Sequence, residues 1–324
     1  MRGKIVWVAG IATLLIGALV AGWVVTLRLQ AEAAAFLELL PPGAELYGVV
    51  DLEGLQSNPA IRKLLSNSGE DSEGNEYQRF LRDSGFRYQD DLRQLAVAKL
   101  GPDWVGVARV EADQLRIISY IESRGAVKLP MEGLTAYAFG TERPFRLVFL
   151  DDQRVAFTVG GEPDLLRHLV ERSTQTPANS AAVELRRTGD PQNLPGESEL
   201  WVFGRLDQLL EGDPEAVQLG VFQLGREWLQ GSKAAYLRVE SGPIQLDMQL
   251  EDRCDSEATA ERIASWAKAM LLILKAPPSS QIQSSGPDYT PLLRAVSVRQ
   301  ERESVFLEWS WDASMLALLN RDSR

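Results

Sequence analysis

The chain has 324 residues, 45% of them hydrophobic, and a formal net charge of −11 at pH 7. That size and composition allow one large domain or two ordinary ones with a proper core, and the acidic balance argues against nucleic acid as a partner and against lying flat on anionic lipid. A single cysteine, Cys254, and a single histidine, His168, exclude an intrachain disulfide and zinc sites built from several such ligands.

The first element is an uncharged, proline-free run from Ile5 to Leu27. As a helix it extends about 34 Å, enough to cross a hydrocarbon core of roughly 30 Å. Arg2 and Lys4 precede it, and residues from Arg28 onward carry about −13. The positive-inside bias predicts a single-pass anchor in the cytoplasmic (inner) membrane, with the N-terminus inside and the body extracytoplasmic. The competing reading is a cleaved signal peptide, with Ala31-Glu32-Ala33 or Ala33-Ala34-Ala35 as its site, but 23 apolar residues are many for such a segment. Residues 1–40 are therefore read as a cytoplasmic stub, a membrane helix over 5–27 and a short stalk ending at Pro41-Pro42-Gly43.

Residues 41–172 read as a first α+β unit. Glu45–Leu52 is a predicted strand. Ser57-Asn58-Pro59 opens a helix, with a capping side chain followed by proline at the first turn. Leu92–Leu100 and Trp104–Val110 are predicted strands joined at Gly101-Pro102-Asp103. Asp113 caps a predicted helix that ends near Gly125. Strands follow over 134–139, 145–150 and 154–159, and Glu162-Pro163 opens a helix bearing Leu165, Leu166, Leu169 and Val170. Residues 173–198, rich in Pro, Ser, Thr, Asn and Gly, read as a linker or long loop with one short helix near 181–187.

The pattern then starts again, over a second unit at 199–324. Glu199–Leu206 (ELWVFGRL) echoes Glu45–Leu52 (ELYGVVDL). A helix over 214–228, strands over 234–239 and 244–251, a helix over 255–275 and strands over 293–300 and 304–311 repeat the earlier order. The fold class expected is α+β. An N-terminal transmembrane helix precedes two tandem units, read as a duplication, of mainly antiparallel sheet with helices packed on one face.

The segment from Leu40 to Leu52 (LPPGAELYGVVDL), behind a membrane segment and ahead of repeated α+β elements, resembles the DUF3352-like class of bacterial membrane-anchored proteins of unknown function. Gly133-Leu134-Thr135-Ala136-Tyr137 and the strand–helix ending at Val170 fit the same type. The resemblance implies that architecture and an extracytoplasmic address. It supplies no catalytic residues.

No residue pattern predicts catalysis. His168 falls at the polar edge of an amphipathic helix, and Cys254 stands among acidic neighbours that disfavour a thiolate. The carboxylate pairs Asp51/Glu53, Asp90/Asp91 and Asp151/Asp152 sit in strand-end or turn contexts. The stretch Glu70–Glu76 has oxygen ligands around a glycine but not the order of a calcium loop. No catalytic, cofactor-binding or metal residue is assigned, and no cofactor is expected. Trp309 and Trp311, two residues apart on one strand, are the candidate partner or ligand face. The function expected is a non-catalytic binding or assembly role in the cell envelope, with the membrane and other envelope proteins as partners. The alternatives are a carboxylate-dependent hydrolase and a carrier of an apolar ligand.

Overall fold

The structure, a computed structural model, describes residues 35–67, 80, 82–140, 143–174, 179–188, 194–195, 198–211, 229–275, 290–312 and 314–315. The apolar run 5–27, the acidic loop at 70–76 and the whole of the expected helix at 214–228 lie outside them. Among the described residues no helix is long and apolar enough to cross a membrane.

The strands are β1 (Leu46–Asp51), β2 (Leu92–Leu100), β3 (Asp103–Val110), β4 (Val127–Met131), β5 (Leu134–Phe139), β6 (Phe145–Phe149) and β7 (Arg154–Val159), then β8 (Leu200–Arg205), β9 (Ser232–Ser241), β10 (Gln245–Cys254), β11 (Ser297–Glu301) and β12 (Ser304–Asp312). The helices are α1 (Leu52–Gln56), α2 (Pro59–Asn67), α3 (Tyr88–Asp91), α4 (Gln114–Ser123), α5 (Asp164–Thr174), α6 (Ala181–Thr188), α7 (Leu206–Glu211), α8 (Glu257–Lys275) and α9 (Thr290–Arg294). All twelve strands join one antiparallel sheet in the order β11-β12-β10-β9-β8-β1-β2-β3-β7-β6-β5-β4.

Local signals start and stop these elements as the side chains require. Asn58 accepts the Ala60 N–H at 2.9 Å and so caps α2, and Asp113 accepts the Arg116 N–H at 3.2 Å at the start of α4. The β4–β5 hairpin turns through Glu132 (φ 47) and Gly133 (φ 81), the left-handed pair that matches strand twist. β4 was not apparent in the sequence because it contains Pro130. An edge strand tolerates that residue, since it need not donate outward. At the other end, the strand expected from Leu293 begins only at Ser297, behind the short α9.

β1 pairs with β8 so that Gly48 lies opposite Val202. These two residues are counterparts in the echo between 45–52 and 199–206. Outward from that pair the order is the same on both sides: a hairpin, β2–β3 or β9–β10; then the last strand of each series, β7 or β12; then β6 or β11. The first side adds β5 and β4 beyond β6.

Directly opposed residues share a face of the sheet. One face carries the row Tyr137, Leu147, Phe157, Gly106, Val97, Gly48, Val202, Leu237, Leu250, Leu307, Val298. We call it the first face. Leu55 of α1 and Ile61 of α2 pack there against Val239 and Leu246, Ile121 of α4 against Tyr137 and Leu147, and Ile263 of α8 against Val305 and Val298. The second face carries Tyr47, Val49, Ala96, Ala98, Val105, Val107 and Trp201. It is covered by the turn of helix at 35–39, by Leu166, Leu169 and Val170 of α5, and by Ala181, Ala182 and Leu185 of α6. The expectation of helices on one face therefore needs correction: they pack on both. The central strands are apolar on both sides, and each side must be shielded from water. The α6 part of the proline- and serine-rich stretch is core, not free linker.

Packing is close where Gly106 faces the ring of Phe157. A Cβ on Gly106 would lie 2.4 Å from Phe157 Cζ and 2.9 Å from the Ala96 carbonyl oxygen. Gly106→Ala is expected to lower unfolding free energy by about 1–3 kcal/mol in urea titrations, the range for overpacking a rigid core.

Candidate functional site

The second face changes character along one transverse row. It starts with Val105, Ala98, Tyr47 and Phe203 and continues through Tyr236, Glu251 and Phe306 to Arg299. Helices cover its first part. Over β10, β12 and β11 no helix covers it among the described residues. An open groove of about 960 Å³ runs where this uncovered part meets the turn between β11 and β12. A second hollow of about 690 Å³ continues it and shares Arg253, Arg302 and Ser304.

An aromatic series carries the core into the groove. Tyr47 and Phe203 stack at 6.2 Å, Phe203 and Tyr236 approach to 5.0 Å, and the Arg253 guanidinium lies 4.7 Å from the Tyr236 ring centre. Arg253 also pairs with Glu251 at 2.8 Å, and Ser304 donates to the same carboxylate at 3.0 Å. Farther out, Arg299 sits 4.2 Å from the Phe306 ring centre and pairs with Glu308 and Glu301. Planar guanidinium on an aromatic ring, with carboxylates beside it, makes a flat surface of both charges suited to polar groups.

Arg302 stands out on this surface. It is the first residue of the two-residue β11–β12 turn and holds φ 52, a conformation that glycine adopts freely and a long side chain does not. Arg302 lines both hollows at the groove's rim. Lys233 lines the larger one.

The inner end of the groove is locked by a polar hub. Arg205 is ion-paired with Glu184 of α6. The Glu184 carboxylate also accepts the Gly43 N–H at 2.7 Å and the Tyr47 hydroxyl at 2.8 Å. Burial alone would raise the Glu184 carboxyl, but these hydrogen bonds outweigh it and hold it below the ordinary value. Burial pushes the Tyr47 hydroxyl well up, so it stays a neutral donor.

Neither family models nor curated proteins provide a match to this chain. Among solved structures, TP0453 in crystal forms I, III and IV is similar. The identity is 12–13%, the overlap covers 88% of this chain and 96–97% of those chains, and the TM-scores are 0.43–0.45. A likeness of this size identifies neither a family nor an activity.

The residues singled out in the sequence do not converge. Trp309 and Trp311 do share a face, opposite Met248 and Leu246, but it is the helix-bearing first face. Trp311 packs with Ile61, Val239 and Leu246, and its indole N–H reaches the Leu292 carbonyl at 3.3 Å. Neither lines the groove. His168 is exposed on α5. Asp151 accepts from the Gln153 and Arg154 N–H groups in a turn, and Asp91 accepts from the Arg87 N–H at 2.6 Å. Cys254 is buried beneath α8, and burial pushes its thiol up to about 12. Among the described residues no three carboxylate, histidine or cysteine side chains group as metal ligands would.

One carboxylate pair appears only in three dimensions. Asp51 and Glu199 meet at the far end of the β1–β8 pairing, where the Asp51 N–H donates to the Glu199 carbonyl at 2.5 Å. Burial raises both carboxyls, and the charge of Asp51 raises Glu199 further. Each already has a backbone partner: Asp51 caps α1 through the Gly54 N–H at 3.1 Å, and Glu199 accepts the Ser241 N–H at 2.8 Å.

A different carboxyl has consequences for stability. Asp252 is 5% exposed, accepts the Ser232 hydroxyl at 2.8 Å, and has no partner for Oδ1 among the described residues. Burial, aided by the charge of Glu251 and opposed by Ser232, pushes it up to about 6. Below about pH 4 the group is protonated in both folded and unfolded chains, so the folded state carries no penalty. As the pH rises through about 6 the folded state is penalised by up to about 3 kcal/mol, and above that the penalty is constant. In urea unfolding across pH 4–8, Asp252→Asn is expected to match the wild type at pH 4 and exceed it above pH 7. A constant difference across the range would contradict this assignment. Arg302→Gly is expected to leave unfolding free energy unchanged or raise it by up to about 1 kcal/mol, because left-handed strain is relieved while chain entropy opposes.

Proposed function

We propose that the chain is a single-pass, membrane-anchored extracytoplasmic protein with a non-catalytic binding or assembly role in the cell envelope. In this reading residues 5–27 are the anchor and the α+β body arose by duplication of one unit. The uncovered face of β10–β12 with its groove is the surface that receives a partner. The observation that carries the reading is that face: Arg253, Arg299 and Arg302 are set among Tyr236, Phe306 and four acidic side chains, Glu251, Glu301, Glu303 and Glu308, on a sheet whose remaining center is packed on both sides. Such a surface binds through planar stacking and charge pairing and needs no reactive group. The charge-free run at 5–27, with Arg2 and Lys4 before it, supports the anchor and its orientation. The recurrent strand order on either side of Gly48 and Val202 supports the duplication.

The raised pair Asp51 and Glu199 favours one other reading, a carboxylate-dependent hydrolase. It ranks second because both carboxyls are engaged by backbone N–H groups and neither lines the groove.

Photoreactive residues placed at Arg302 and Phe306 in native membranes are expected to give adducts with an envelope component, whereas one at His168 gives none. Absence of adducts from the groove across several crosslinker chemistries counts against the binding reading. Hydrolysis of an envelope polymer that disappears in both Asp51→Asn and Glu199→Gln would replace it with the second. Protease added to cells whose outer barrier alone is permeabilised is expected to digest the body. A protected body would overturn the orientation.

A further inference from the structure

We propose that the outer edge of β11 is a docking site for an extended strand from a partner protein, patterned like this chain's own β5. The inference concerns a different surface from the groove and does not depend on membrane attachment.

It begins with a mismatch between the two sides of the sheet. Following the opposed pairs outward from Gly48 and Val202, Leu147 on β6 and Val298 on β11 occupy the same place. On the first side β6 is not an edge: β5 pairs with it, with Tyr137 opposite Leu147 and Phe139 opposite Phe145. On the second side β11 ends the sheet among the described residues. Among the described residues, the molecule thus displays in one half the occupied form of an edge that its other half leaves unpaired.

The backbone of β11 presents the required groups. A two-residue turn closes on a hydrogen-bonded pair, here Glu301 with Ser304. Alternation then bonds Arg299 with Phe306 and Ser297 with Glu308 on the inner side, leaving the N–H and C=O of Val298 and Gln300 pointing outward. The next outward carbonyl, that of Val296, is already taken by Lys275 Nζ at 2.7 Å. This edge, unpaired among the described residues, therefore offers two residues' worth of outward groups with a defined start.

The side chains define the occupant. In the first half, Tyr137 of β5 lies on the first face against Ile121 of α4. The helix in the same place in the second half is α8, which packs Ile263 and Ala264 beside Val298. The Lys275 contact fixes its last turn at the start of β11. That turn leaves Leu272 and Ile273 72% and 66% exposed, beyond the buried stripe of Ala260, Ile263, Ala264 and Ala267. A strand added to β11 with large apolar residues at alternate positions sets them against this turn, as β5 sets Tyr137 against α4. Its other face, beside Arg299 and Glu301, takes small or polar residues.

The test uses the full chain in detergent and, as probe, a synthetic peptide of residues 126–140, the β4–β5 hairpin. Amide exchange is expected to be fast at Val298 and Gln300 in the free protein and at least tenfold slower with saturating peptide. Val298→Pro removes one outward N–H without touching the β11–β12 ladder and is expected to weaken peptide binding at least tenfold. Val298→Ala loses comparable packing but keeps the N–H, and should bind like wild type. Ile273→Glu should weaken binding at least fivefold. The proposal is overturned if those two amides are already protected without peptide, if the peptide protects neither, or if Val298→Pro and Val298→Ala bind alike. Adducts from the groove bear on the separate binding reading and leave these outcomes unaffected.

Discussion

The pairing of β1 with β8 is the contact on which the rest of this structure depends. It joins strands about 150 residues apart and turns two short antiparallel arrays into one continuous sheet. Closing so large a loop is unfavourable in entropy, so the junction must bury much to hold. It does: Tyr47 and Trp201 are fully buried there, and Gly48 brings its neighbours close enough that an added Cβ would sit 3.2 Å from Val97. The stacking of Tyr47, Phe203 and Trp201 adds an aromatic layer across the junction.

The same junction sets the polar chemistry at both of its ends. At one end Arg205, Glu184, Tyr47 and Gly43 form a mutually satisfied hub, with Lys99 on Glu45 at 2.6 Å beside it. This hub holds the loop 41–44 on the body, and Arg172 adds a hydrogen bond to the Leu40 carbonyl at 3.2 Å. Phe36, Leu37, Leu39 and Leu40 are themselves buried on the sheet, so the segment that leads into this loop is packed against the body. At the other end the pairing sets Asp51 beside Glu199, two carboxyls raised by burial. The asymmetry follows from the echo itself. The counterpart of Asp51 is Arg205, so equivalent positions carry opposite charges and the two ends of the pair differ in sign.

Two departures from symmetry supply the surfaces on which function is proposed. Helices α5 and α6 cover the second face of the first half, and the described residues provide no equivalent over β10, β12 and β11. The first half also continues its sheet through β5 and β4, whereas among the described residues the second stops at β11. Both differences leave the second half exposed, one on a face and one on an edge. The face is polar, and its arginines lie on aromatic rings. The edge adjoins a helix end with apolar residues in water.

Much of this framework was legible in the chain alone. β1, β2, β3 and β7 were predicted as strands, the turn at 101–103 marked a hairpin, and Asn58 and Asp113 marked helix starts, because those signals are local and the chain satisfies them within a few residues. The echo between 45–52 and 199–206 pointed to a repeated order, and the strand sequence carries one. The tertiary structure alone decided that the two arrays share a sheet and that helices cover both faces. It also decided that Pro130 lies in an edge strand, that the partly buried Trp311 packs against Ile61, Val239 and Leu246, and that Arg253, Arg302 and Tyr236 meet at a groove. Those outcomes rest on which strands become neighbours, and a sequence does not state its neighbours. The side-chain pattern gives each strand two faces, but only pairing across the whole chain determines what each face meets.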